Sequence, residues 1–183
     1  MAIPDTSKSD SSVQTKAEEA IIRALENQIR QGADPGTHLI LHPNPIDMGG
    51  KVHIEVDAMS EDRQFVVEAY ARQGQLKGAQ LKKIAQDILK LALLKKNPEW
   101  VNAKTIIVFA SNEARTSVSG WVRLAAEQFG VAFEVVDIDG DLRAAILAVQ
   151  SRQRMVNTVD SADDLVPEGI DPAVTSEGSS SKT

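Results

Sequence analysis

The hydrophobic positions of this chain change period in an ordered way. Val13, Ala17, Ala20, Ile21, Ala24, Leu25 and Ile29 recur at helical spacing, and Gly32 can end that helix. Thr37 to His42 reads as a short strand, broken by Pro43 and Pro45, and Gly49-Gly50 makes a turn. Residues 51–58 then alternate, with Val52, Ile54, Val56 and Ala58 on one face and His53, Glu55 and Asp57 on the other. The turn Ser60-Glu61-Asp62-Arg63 leads into residues 64–71, where Phe65, Val67 and Ala69 oppose Val66, Glu68 and Tyr70.

The helical period returns after Gly78. Leu81, Ile84, Ile88 and Leu91 form the apolar stripe of a helix over roughly residues 78–96, which Pro98 stops. Lys104 to Ala110 is a continuous apolar run suited to a buried strand. A helix over 114–129 ends at Gly130, a strand follows from Val131 to Ile138, and an amphipathic helix covers 140–155. The order α-β-β-β-α-β-α-β-α predicts an α/β fold. An antiparallel meander precedes helix-linked strands that add in parallel, giving a mixed central sheet flanked by helices.

Composition bounds the rest. The 183 residues suit a single domain, residues 13–155, with a polar tail at 1–12 and an acidic tail at 156–183. The second tail holds six acids against one base, whereas the remainder carries 19 bases and 20 acids. A near-neutral body counts against tight, non-specific DNA binding. The tail itself reads best as a solubility element. No run nears the roughly 20 apolar residues of a bilayer span. Residues 1–12 lack the apolar stretch of a signal peptide. The absence of cysteine excludes thiolate metal sites and fits a reducing, cytoplasmic setting.

The candidate chemistry lies where two β segments each bear a carboxylate, Asp57 and Glu68, just ahead of a helix rich in lysine and glutamine. Gln80, Lys83, Asp87 and Lys90 form one polar stripe of that helix. Two carboxylates beside an amine suit Mg²⁺, which takes one or two protein carboxylates and fills its other positions with water and phosphate oxygens. The same residues also make an ordinary solvated sheet face, or a structural ion-pair network with Lys83–Asp87 pairing. His38, His42 and His53 lack a third ligand at suitable spacing. Trp100 and Trp121 read as core or interface residues, and Ser111-Asn112-Glu113 as a helix cap.

An Asp in the second strand and a Glu in the third, within α-β-β-β-α-β order, resembles the PD-(D/E)XK (restriction endonuclease-like) nuclease superfamily over roughly residues 14–138. The resemblance implies Asp57 and Glu68 as ligands of Mg²⁺ or Mn²⁺ and Glu18 as a further acid from the first helix. It implies Lys83 as the catalytic lysine, ahead of Lys77, Lys82 and Lys90, and Gln80, Lys77 and Lys90 as substrate contacts. DNA would be the substrate, and a homodimer is compatible with it. Tyr70 stands where the motif lysine would be, and Val56 replaces the proline before Asp57. A non-catalytic domain of that fold, acting as an interaction module, is the alternative. A Rossmann-like nucleotide binder over 103–138 ranks last, because it has no Gly-rich turn.

Overall fold

The computed structural model describes residues 6–33 and 38–163, with side-chain surroundings for 11–33 and 38–152. Most of the acidic tail, from residue 164, lies outside the described residues, as do residues 1–5. Helix α1 (Thr6–Gln31) starts within the stretch read as a tail. The sheet strands are β1 (Leu41–His42), β4 (Ala58–Ser60), β5 (Phe65–Tyr70), β6 (Lys104–Phe109) and β7 (Val131–Val135). They lie in the order β1-β4-β5-β6-β7. The first three pair antiparallel, and β5, β6 and β7 pair parallel. The mixed sheet thus has the predicted form. A separate two-stranded ribbon joins β2 (Ile46–Asp47) to β3 (His53–Ile54).

Two apolar layers hold the sheet. On one face lie α2 (Ala79–Leu94), α3 (Asn112–Ser117) and α4 (Gly120–Phe129), which bury Ile84, Ile88, Leu91, Ala114, Val118 and Val122 against Val66, Tyr70, Ile107 and Phe109. On the other, α1 and α5 (Gly140–Asp163) bury Ala17, Ile21, Leu25 and Ile146 against Val67, Ala69, Ile106 and Val108. The two-residue period of β5 and β6 therefore feeds both layers. In α5 the helix continues to Asp163, past residue 155.

Two expected elements are broken. The strand read over 51–58 is divided: His53–Ile54 belongs to the ribbon and Ala58–Ser60 to the main sheet. Gly49 and Gly50, with φ of 95° and 69°, turn the ribbon back in a geometry that favours glycine. Val56 then packs with Met59, while Ala58 packs in the opposite layer, so the alternation slips just before Asp57. The helix read over 114–129 is interrupted at Val118, whose extended backbone sends its side chain into the core. Ser117 Oγ donates to Ala114 O and accepts from Leu76 N, and Gly120 takes a φ of 60° as α4 begins.

Candidate functional site

Asp57 stands just before the first residue of β4, where the chain has not yet joined the ladder. Its Oδ2 accepts the Ala69 N–H of β5 at 2.7 Å, taking a donor beyond the last β4–β5 pair. The side chain thus continues the ladder where the backbone does not, and this fixes the carboxylate beside β5. Glu68 occupies the centre of β5 and is only 1% exposed, among the Val66 and Tyr70 side chains of its own face. A carboxylate this deep requires a charged or hydrogen-bonding partner.

That partner is Lys90. Its Nζ lies 2.5 Å from Glu68 Oε1 and 3.3 Å from Asp87 Oδ1, and it donates to Glu55 O at 2.9 Å. At this distance the Lys90 ammonium is a charge-assisted partner of the buried carboxylate. Asp87, also buried, is the hub of the helix side. Its Oδ2 accepts from Tyr70 Oη at 2.7 Å and from Lys83 Nζ at 3.2 Å. The Lys83 ammonium lies 4.9 Å from the centre of the Tyr70 ring, within cation–π range. Spacings of three and four residues on α2 bring Lys83, Asp87 and Lys90 onto one flank.

The electrostatics follow from this crowding. Burial, with added repulsion from Asp57 and Asp87, outweighs the Lys90 contact and raises the Glu68 pKa to about 7. Burial also raises Glu18, which Asp57 repels; its hydrogen bond from Gln14 and the Lys83 charge act the other way. Burial opposes the charge on Lys90, yet Glu68 and Asp87 together outweigh it and hold the ammonium above the usual lysine range. Burial and the Asp87 hydrogen bond keep the Tyr70 phenol protonated well beyond its ordinary range.

Of the residues singled out by sequence, Glu18, Asp57, Glu68, Lys83 and Lys90 share one electrostatic neighbourhood. Lys90, and not Lys83, is the amine in contact with Glu68. Gln80 spends its Oε1 on the Lys77 N–H at the start of α2, and Lys77 is exposed. Sequence reasoning gave Asp87 a place in the stripe but missed its bond to Tyr70. The signal available was a tyrosine on a buried face, whose hydroxyl must find a partner. Among the described residues no three His, Asp or Glu side chains form a cage for a metal ion. A cavity of about 830 Å³ opens at the opposite end of the sheet, beside Phe65 and Lys104, the first residues of β5 and β6; none of the clustered acids lines it. Trp100 is buried and Trp121 exposed. No helix among the described residues is long and apolar enough to cross a membrane.

No family model matches the chain, and neither does any curated protein or solved structure.

Proposed function

We propose that the chain is a Mg²⁺- or Mn²⁺-dependent hydrolase of DNA phosphodiester bonds, with the restriction endonuclease-like site that its strand order resembles. One observation carries the reading. Glu68 and Asp87 pair with Lys90 and Lys83 in a partly desolvated cluster, and Asp57 and Glu18 lie near enough to act on its charges. The raised affinity of Glu18 and Glu68 for protons comes first from burial, and repulsion from the neighbouring acids adds to it. A divalent cation would relieve the same repulsion. Two carboxylates suffice for Mg²⁺, because water and phosphate oxygens complete its shell.

Asp57 and Glu68 would hold the ion, which supplies charge neutralisation at the phosphate and at the leaving oxygen. Lys90, held protonated, provides fixed positive charge for the developing phosphorane. Glu18, with its raised proton affinity, would take the proton of the attacking water, and the leaving sugar oxygen, freed as its P–O bond breaks, would take a proton from solvent. Lys83 faces outward from Asp87 toward incoming phosphate, with the Gln80 amide and Lys77 as neighbouring contacts.

The second reading is a non-catalytic module of this fold. Tyr70 at the motif-lysine position favours it, as does a Glu68–Lys90–Asp87–Lys83 network that already pairs its own charges. Cleavage assays separate the two. Purified protein is incubated with linear, circular, single-stranded and branched DNA and with RNA, in Mg²⁺ or Mn²⁺. Metal-dependent cutting that Asp57→Asn and Glu68→Gln each abolish is the expected result. No cutting of any form, with no Mn²⁺ binding at millimolar concentration, would leave the module reading in its place.

A further inference from the structure

We propose that the crevice at the carboxyl ends of β5, β6 and β7 binds a phosphate monoester with a small hydroxyl-bearing body, the size of a sugar phosphate. The path of the chain opens this crevice. The connection leaving β6 enters α3 and α4 on one face of the sheet, whereas the connection leaving β7 enters α5 on the other. Neighbouring parallel strands whose connections part in this way leave a gap beyond their carboxyl ends, and open α/β sheets take ligands there.

A cavity of about 450 Å³ stands at that point. Ser111 and Asn112 line it from the end of β6, Asp137 and Arg143 from the end of β7 and the first turn of α5, and Gln73 from the loop after β5. A second lobe of about 320 Å³ shares Gln73 and Ser111 and adds Glu113 and Ser151. The wall common to both lobes is fixed from within. Gln73 and Gln150 are buried and exchange hydrogen bonds, the Gln73 N–H donating to Gln150 Oε1 and Gln150 Nε2 to Gln73 O. Gln73 Nε2 donates in turn to Ala71 O and Ala110 O, which ties the ends of β5 and β6 together. None of the clustered acids and lysines of the proposed metal site lines either lobe.

The two lobes differ in chemistry. The first is rich in donors. Arg143 holds Asp137 through Nη2, and its buried Nε–H meets no acceptor among the described residues. Ser111 Oγ and Asn112 Oδ1 accept from Ala114 N and Arg115 Nε, which leaves a hydroxyl hydrogen and a side-chain NH2 to donate. A phosphate takes the Nε–Nη2 edge of a guanidinium through two oxygens, so it would satisfy that N–H and displace Asp137. The Asp137 side chain is 91% exposed, and such a surface pair is weak enough to yield to a bidentate anion. The second lobe offers acceptors. Glu113 Oε2 lies 4.0 Å from where a β-carbon on Gly74 would stand, so the carboxylate lies over the loop that follows β5. A carboxylate there accepts from hydroxyls and repels a second anion, which assigns the phosphate to the Arg143 lobe and the hydroxylated body to the other.

An NMR titration of the full chain with ribose 5-phosphate, in metal-free buffer, tests this directly. The backbone amides of Gln73, Ser111 and Asn112 should shift together, with a dissociation constant below roughly 1 mM. Arg143→Gln should weaken binding by roughly 10-fold or more, as loss of a charged hydrogen-bonding pair does. Asp137→Asn removes the internal competitor and should tighten binding by roughly 3-fold, which a merely structural arginine would not show. Ribose, which lacks the anion, and inorganic phosphate, which leaves the second lobe unused, should each bind at least roughly 10-fold more weakly than ribose 5-phosphate. The spectra themselves report whether each variant is folded. No shift at these three amides with roughly 10 mM ribose 5-phosphate overturns the proposal. So does unchanged binding by Arg143→Gln, weaker binding by Asp137→Asn, or inorganic phosphate binding as tightly as the sugar phosphate. The titration involves neither metal nor DNA, so its outcome is independent of the hydrolase reading.

Discussion

Replacing Glu68 by Gln tests the electrostatics of the cluster without any substrate. Glu68 titrates near 7 in the folded protein against an ordinary value of 4.5. The folded state therefore holds this proton more tightly than the unfolded chain. The protonated side chain favours folding below pH 4.5, and that benefit is lost as pH rises from 4.5 through 7. At 1.36 kcal/mol per unit the full effect is about 3 kcal/mol, of which roughly 2.5 falls between pH 5 and 8. Gln cannot ionise, so its variant escapes the loss. Lys90 keeps Asp87 and Glu55 O as partners when Glu68 is replaced, so the ammonium is not stranded.

Urea unfolding at pH 5, 6, 7 and 8 reads the difference. Other titrating groups largely cancel between wild type and Glu68→Gln. The gap in unfolding free energy should move by roughly 2.5 kcal/mol in favour of the variant, which is on the order of 1 M in urea midpoint for a typical slope. A gap that stays flat with pH would mean that Glu68 is hydrated or fully compensated by Lys90, and the argument for an over-charged cluster would fail. Bound Mg²⁺ should reduce the wild-type pH dependence, because the cation replaces the proton at the carboxylate. At 10 mM Mg²⁺ and a dissociation constant near 1 mM, wild type would gain about 1.4 kcal/mol, and Glu68→Gln much less.

Three further substitutions separate the roles. Lys90→Met removes the ammonium from buried Glu68 and should cost about 3 kcal/mol at pH 8, shrinking toward pH 5 as Glu68 protonates; urea midpoints at the two pH values measure it. Asp57→Asn keeps an acceptor for the Ala69 N–H while removing repulsion from Glu68, so stability at pH 8 should hold or rise by less than about 1 kcal/mol. The same variant should lose DNA cleavage by at least roughly 100-fold, read in the metal-dependent assay. Tyr70→Phe deletes a buried hydrogen bond to the Asp87 carboxylate and should lower stability by about 1.5 kcal/mol, measured at neutral pH.

Much of the fold was legible because its signals were local and uninterrupted. The apolar run of β6 needs burial on both faces, and the Ile84–Ile88–Leu91 stripe needs a sheet beneath it. The divided strand at 51–58 was hidden for a physical reason. Alternation alone cannot register a slip between Val56 and Asp57, because hydrophobic residues stand on both sides of the break. The interruption at Val118 depends on Ser117 bonding Leu76 N, a residue distant in sequence and invisible to a helical period. In the cluster, the shared facing of Glu68 with Val66 and Tyr70 was readable from strand parity, whereas Asp57 stands outside β4 and is held beside β5 by the Ala69 N–H. The choice between Lys83 and Lys90 was not readable, since both lie on the same flank of α2, two turns apart, and spacing alone does not say which turn lies over Glu68.

That choice changes what Tyr70 means. A lysine at position 70 would put an ammonium beside Glu68 and Asp87 from within β5. The protein instead brings the charge in from α2 by way of Lys90, and Tyr70 uses its hydroxyl to hold Asp87. Asp87 then bridges the two lysines, one 28% and the other 59% exposed at the side chain. The buried ammonium is locked by three oxygens, whereas the outer one retains freedom to leave Asp87 for an arriving anion. Tyr70 and Lys90 therefore both act on Asp87, one through a hydroxyl and the other through an ammonium. A double-mutant cycle of Tyr70→Phe and Lys90→Met should show coupling of about 0.5–3 kcal/mol, as residues sharing one network do, and strict additivity would show that the tyrosine and the amine are unrelated.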